Sequence, residues 1–188
     1  MSVRTLFAGF ELVATMDAEG RELPGGYVLI EGNRIVDIGE DPTGIEADAV
    51  VRGDGKLLLP GLVNTHHHLY QSLFRNVPGA SEAKLFDWLV FLYERGKNLG
   101  EGAVRVSSTI ACSELLLSGA TTTTDHCYLY PRGGGNILAA DIEGAQRAGI
   151  RFHPCRGSMS LSRKDGGLPP DAVVQSEEEI LTDSQRMI

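Results

Sequence analysis

Three consecutive histidines, His66, His67 and His68, close the stretch LLLPGLVNTHHH, an apolar run interrupted by Pro60-Gly61. Side chains on a strand alternate between its two faces, so His66 and His68 share one face and His67 turns to the other. Two imidazoles at a strand end then aim at one point. Neutral imidazole nitrogen binds zinc at about 2.0–2.1 Å and also accepts iron and related divalent ions. By the same alternation His67 is expected to face packed helices, or to hold the strand end by a hydrogen bond. A surface histidine run without a ligand is the alternative, since His-x-His alone is a short signal.

Such a pair needs a rigid strand beneath it, and the flanking sequence supplies candidates. Before Pro60 the pattern is β: TLFAGFELVATMD, then GYVLIEGNRIVDIG with Gly32-Asn33 as a two-residue hairpin turn, then strands on both sides of Gly53-Asp54-Gly55. These predict a small antiparallel sheet ending near Leu58. After Pro60 strands alternate with helices. Strands are expected near 58–66, 120–126 and 150–156. Helices are expected from the spacing of Leu85, Trp88, Leu89 and Leu92 with a stop at Gly96, over about 101–118 closed by Gly119, and over 137–148 closed by Gly149. Ser176 followed by Glu179 is a capping-box pattern for a further helix. Repeated strand–helix units imply a parallel sheet with helices outside it, and hence an α/β class. Three strands are few for such a sheet, so the chain reads as a truncated front portion of a longer protein; a small complete α+β domain is the other reading.

Composition narrows the function classes. A net charge of -8 disfavours non-specific binding to nucleic acid, whose phosphates it would repel. No stretch reaches the roughly 18 apolar residues of a membrane span, and the first twenty residues lack the compact apolar core of a signal peptide, so a cytoplasmic location is expected. Cys112, Cys127 and Cys155 are odd in number and contain no CxxC, which favours reduced thiols over a disulfide framework. Gly133–Asn136 precedes a helix but lacks the Lys-Ser/Thr of a phosphate-binding loop. The acidic SEEE run reads as a helix start favoured by the dipole.

LLPGLVNTHHHLYQ resembles the first-strand signature of the amidohydrolase superfamily. HHHLYQSLFRNVP, LFDWL, ELLLSGATTTTDHCYLYP and RGSMSLSRKDGGLPPD together are similar to the 8-oxoguanine deaminases and the hydroxyatrazine-type ethylaminohydrolases. The resemblance implies residues 1–58 as part of a small β-sandwich. It implies 59–188 as the first three βα units of a (β/α)8 TIM-like barrel, entered at Pro60-Gly61. It implies His66 and His68 as ligands of one divalent metal ion, zinc or else iron. The implied reaction is hydrolytic deamination of an aromatic heterocycle, foremost 8-oxoguanine to urate and ammonia, with metal-activated hydroxide as the attacking group. An s-triazine aminohydrolase or another cyclic C–N hydrolase is the nearest alternative, and a non-catalytic binding protein built on the same barrel is a more distant one. The resemblance also implies a small heterocyclic substrate as partner. Family members are often homo-oligomers, a state that the sequence itself leaves open, and nucleic acid and membrane partners are disfavoured by the charge and hydropathy above.

Four further residues are candidates for substrate contact. The amide of Gln71, three residues past His68, can donate and accept, which suits a purine edge. Trp88 suits ring stacking by resemblance and core packing by its helical spacing. Arg156, at the end of the third strand, suits a carbonyl oxygen of an oxidised purine or, equally, a salt bridge between loops. His126 ends the second strand beside Asp125, either lining the same mouth or hydrogen-bonded to that aspartate. His153 is mid-strand and expected to be buried. The acid-base residues and remaining ligands are expected beyond Ile188, so this portion alone is expected to be inactive, because a catalytic zinc site needs about three protein ligands.

Overall fold

The computed structural model describes residues 2–188. The chain divides into two compact units, one ending at Pro60 and the other spanning Gly61–Ile188.

The first unit holds β1 (Arg4–Ala8), β2 (Leu12–Ala14), β3 (Glu22–Pro24), β4 (Tyr27–Glu31), β5 (Arg34–Gly39), β6 (Ala49–Arg52) and β7 (Leu57–Leu58). The expected hairpin is present: Glu31 pairs with Arg34, and Gly32 takes φ 60°, the left-handed conformation that primed turns require. The expectation of one antiparallel sheet is corrected. There are two mixed sheets, ordered β5-β4-β1-β6 and β3-β2-β7. The strands flanking Gly53-Asp54-Gly55 do not pair with each other. β6 runs parallel to β1 and β7 parallel to β2, so the segment around Gly53 follows the β1–β2 connection from one sheet to the next. Gly53 donates to the Ala8 carbonyl, and a Cβ there would fall inside the Phe10 ring, which is why glycine stands at this crossing. β4 is buried on both faces, with Tyr27 and Leu29 packed beside Leu6 and Ala8, and Val28 beside Phe10 and Val13.

The second unit is α/β. β8 (Leu62–Asn64), β9 (Ala120–Cys127) and β10 (Arg151–Arg156) form a parallel sheet in the order β10-β9-β8. The helices are α1 (Leu85–Gly96), α2 (Glu101–Leu117), α3 (Ile137–Ala148) and α4 (Glu177–Met187). Gly149 closes α3 at φ 84°, and the capping box of Ser176 and Glu179 opens α4, both as expected. α2 and α3 pack closely where Gly144 admits the Ser108 side chain: a Cβ at 144 would lie 2.6 Å from the Ser108 Cβ.

The first strand of this sheet is shorter than the predicted 58–66. Leu57 and Leu58 belong to β7, and β8 stops at Asn64, so the histidines lie just past it. β9 shows clear alternation. Thr123, Asp125 and Cys127 are buried, whereas Thr122, Thr124 and His126 on the opposite face are partly exposed. The main core joins Leu92, Tyr93, Val104, Leu129, Ile137 and Leu138 from the helices and the β9 exit. Among the described residues, no helix is long and apolar enough to cross a membrane.

Candidate functional site

The histidine segment continues the parallel ladder although it is no longer regular strand: the His126 amide donates to the His67 carbonyl at 2.9 Å. His68 Nδ1 lies 2.9 Å from the carbonyl oxygen of His126. A carbonyl only accepts, so Nδ1 carries the proton and Nε2 keeps its lone pair for a ligand. The ring centroids of His66 and His68 are 5.2 Å apart, and the His126 ring stacks on His66 at 5.1 Å and meets His68 at 5.8 Å. Burial holds the His68 imidazole below its usual titration range, which favours the neutral form that binds metals. His67 is set apart from this trio. It is half-buried, its pKa is lowered by burial and then by nearby Arg75, and its Nδ1 has no hydrogen-bond partner.

His66, His67 and His68 all line a cleft of about 670 Å³ whose other walls include Gln71, Phe74, Asn76 and Trp88, so His67 does not turn away from it as strand alternation predicted; His126 is not part of this lining. That size suits a small heterocycle. Gln71 Nε2 donates to the phenol oxygens of Tyr70 at 3.2 Å and Tyr128 at 3.4 Å, which directs its amide. Trp88 serves both expectations at once, lining the cleft and packing against the main core.

The expected burial of His153 also needs correction, and two open readings are narrowed. The guanidinium of Arg156 is engaged by the protein's own groups. Its Nε and Nη2 donate to Asp183 Oδ2, Nη1 to the Gly157 carbonyl and Nη2 to Gln175, while its guanidinium lies 4.1 Å from the Tyr130 ring centre. The salt-bridge alternative is what this geometry expresses. His153 is exposed, because β10 is an edge strand and that side is uncovered. His126 and Asp125 do not pair with each other, since neighbours on a strand face opposite ways.

Sequence reasoning missed two groups. Tyr128 packs edge-on against His68, with ring centres 5.2 Å apart, and also meets Tyr70 and Tyr93. Asp125 points to the helix side, where its Oδ1 accepts the Leu69 amide at 2.8 Å and its neighbour is Asp141 of α3. Period-two alternation from His126 would have placed Asp125 inward, but only the fold reveals a second carboxyl there. Among the described residues, the sole trio of His, Cys, Asp or Glu with ligand atoms all within 4.8 Å of one another is Asp125, Cys127 and Asp141; the three imidazoles do not meet that criterion together. His66 and His68 offer two imidazole donors, His68 with an anchored tautomer, and His126 packs against both rings without itself lining the cleft.

Comparison with known proteins resolves the family. Residues 57–187 match the model of the amidohydrolase family. The chain belongs to the amidohydrolase family. It is 42% identical over 184 residues to the 8-oxoguanine deaminase of Pseudomonas aeruginosa, covering 94% of this chain and 39% of that protein. It is 33% identical over 196 residues to hydroxydechloroatrazine ethylaminohydrolase of Pseudomonas sp. (strain ADP), covering 98% of this chain and 41% of that protein. Among solved structures, atrazine chlorohydrolase from Arthrobacter aurescens TC1 complexed with zinc superposes with a TM-score of 0.87 at 32% identity, covering 98% of this chain and 42% of that one. This amidohydrolase chain therefore spans about two fifths of the length of the relatives it matches.

Proposed function

We propose that this amidohydrolase chain supplies the substrate cleft and two metal ligands, His66 and His68, of an enzyme that hydrolyses an amino group from an aromatic heterocycle, with 8-oxoguanine as the leading substrate and urate and ammonia as products. The three parallel strands are the first three βα units of a (β/α)8 barrel, and the two small sheets are part of a β-sandwich; likeness over nearly the whole chain to a zinc-bound triazine-acting hydrolase supports this. The observation that carries the reading is the anchored His68 imidazole beside His66 at the carboxyl end of a parallel strand, opening into the cleft, where barrel enzymes hold their reacting groups.

One divalent ion, zinc foremost, would be held by the two imidazoles together with ligands from elsewhere in the protein. When bound, such an ion lowers the pKa of water from 15.7 to about 7, making hydroxide available near neutrality. The chain's own residues do the rest of the positioning. Gln71, its two amide hydrogens directed at phenols, turns its carbonyl oxygen to a ring N–H or an exocyclic amine. Trp88 offers an indole face to the heterocycle from the cleft wall. His126 packs against the His66 and His68 rings without itself lining the cleft, and of the proposed contacts its own, to a ring nitrogen or carbonyl oxygen, has the least support. Arg156 is left out of the contact set because its donors are engaged.

The alternative of a triazine substrate has its own support in the 33% identity to hydroxydechloroatrazine ethylaminohydrolase. Incubation of the intact, zinc-supplemented protein with 8-oxoguanine, guanine and hydroxyatrazine separates the readings. Ammonia and urate from 8-oxoguanine support the first, and ethylamine from hydroxyatrazine the second. Release of neither amine, with stoichiometric metal bound, would overturn both.

A further inference from the structure

The turn that follows His68 is held from both sides by buried side chains. Leu69 has no exposed surface, its amide donates to Asp125 Oδ1 at 2.8 Å, and its carbonyl accepts from Ser107 Oγ of α2 at 2.6 Å. Behind Asp125 stands Asp141 of α3, itself 1% exposed, whose Oδ1 accepts from Ser108 Oγ of α2. The two remaining oxygens, Asp125 Oδ2 and Asp141 Oδ2, are buried with no partner, while the two carboxyls each place an oxygen within 4.8 Å of the other. Two ionised carboxylates cannot rest together out of water. One proton between them satisfies both bare oxygens in a single charge-assisted hydrogen bond.

We infer that Asp125, braced by Asp141, is a positioning residue that fixes Leu69 and thereby the place of the His68 imidazole. The inference rests on the assignment of His66 and His68 as metal ligands and adds to it the group that sets their geometry. The path runs through backbone: Asp125 holds the amide of residue 69, one bond beyond the His68 carbonyl, and Ser107 holds the carbonyl of residue 69. The Asp125 carboxyl thus ties the histidine turn to strand β9, and Ser107 ties it to helix α2. Asp141 and Ser108 stop the Asp125 carboxyl from turning away. Cys127, on the same face of β9, lies within 4.8 Å of both carboxyls and makes the surroundings less polar, so the pair has no water to fall back on.

Cobalt(II), whose visible spectrum reports its ligand geometry, is the probe, titrated into the intact apo-protein. Asp125→Asn keeps an acceptor for Leu69 and a donor for Asp141, and is expected to bind cobalt within about threefold of the wild type with an unchanged spectrum. Asp125→Ala removes both contacts and is expected to lose roughly 10- to 100-fold in affinity, as outer-group changes at metal sites do, with a shifted spectrum. Should Asp125→Ala fail to fold, Ser107→Ala releases Leu69 from the other side and is expected to weaken binding by roughly 3- to 10-fold. Wild-type affinity in both Asp125→Ala and Ser107→Ala overturns the inference. Equal loss in Asp125→Asn and Asp125→Ala overturns it as well, because the carboxylate would then itself be a ligand. A wild-type protein that takes up no cobalt overturns instead the assignment of His66 and His68, which distinguishes the two failures.

Discussion

His68 donates through Nδ1 to the backbone carbonyl of His126, and His126 returns a backbone amide to the carbonyl of His67. Two adjacent parallel segments thereby clasp each other at the mouth of the cleft, and the clasp decides which nitrogen of His68 faces outward. A side-chain contact to a backbone atom survives substitution of the His126 ring, so the tautomer is set independently of that ring.

The first prediction concerns the three histidines. His66→Ala or His68→Ala in the intact protein should leave less than about 0.2 equivalents of zinc after dialysis, because each removes a primary donor. His67→Ala should keep the wild-type zinc content, since its ring, although on the same cleft, makes no ring contact with His66 or His68. Elemental analysis of the three variants checks this. Zinc loss in His67→Ala with retention in His66→Ala would reverse the assignment.

Trp88 lines the cleft, so its own contribution to the emission, taken as wild type minus Trp88→Phe, reports the cleft wall. A bound heterocycle should quench it. Trp88→Phe should raise KM by about 3- to 10-fold while kcat changes little, in line with the modest worth of one aromatic stacking contact. Unchanged emission on saturation with substrate would place the ring elsewhere.

Arg156 should matter for stability and not for substrate affinity. Its side chain is 7% exposed and its ion pair with Asp183 is 23% exposed on the acid side. Arg156→Ala is expected to cost about 2–3 kcal/mol, near the lower end for a buried pair because Asp183 still meets water and Arg186. Chemical denaturation and steady-state kinetics on the same variant separate the two effects.

The Asp125–Asp141 pair also makes a statement about pH. Burial, and for Asp125 the second carboxyl beside it, raises both above the ordinary carboxylate range. An acid with a raised folded-state pKa gives its full stabilisation below the unfolded value, and loses it as pH climbs through the folded value. With metal removed by chelator, the melting temperature should therefore fall by at least about 4 °C between about pH 5 and about pH 8. Asp125→Asn should flatten that slope, because an amide donor replaces the titrating proton. Differential scanning calorimetry at the two pH values reads the difference.

Much of this architecture could be read from residue order, and the exceptions have physical causes. The Gly32-Asn33 hairpin, the glycine ends of α2 and α3, and the Ser176–Glu179 cap all lie within a few residues of their partners, so local chemistry specifies them. The His66/His68 pairing was legible for a related reason, though the strand proved to end two residues earlier and the backbone clasp with His126 carries the geometry instead. The pairing of β6 with β1 and β7 with β2 was not legible, because about 45 residues of chain separate those partners and either strand could equally have closed a hairpin across Gly53–Gly55. For Arg156 the choice between substrate and salt bridge stayed open, and the role of Asp125 went unread. Each has a partner, Asp183 or Asp141, that only tertiary packing brings near.

Thr121 to Thr124 are four copies of one hydroxyl in a row. They nevertheless count out the phase of β9. Losing or gaining a single threonine would keep the composition almost intact while swapping inside for outside downstream: a carboxylic acid would emerge toward solvent and an imidazole would sink between the helices. The dullest stretch of this sequence is accordingly the one whose length, more than its chemistry, tolerates no change.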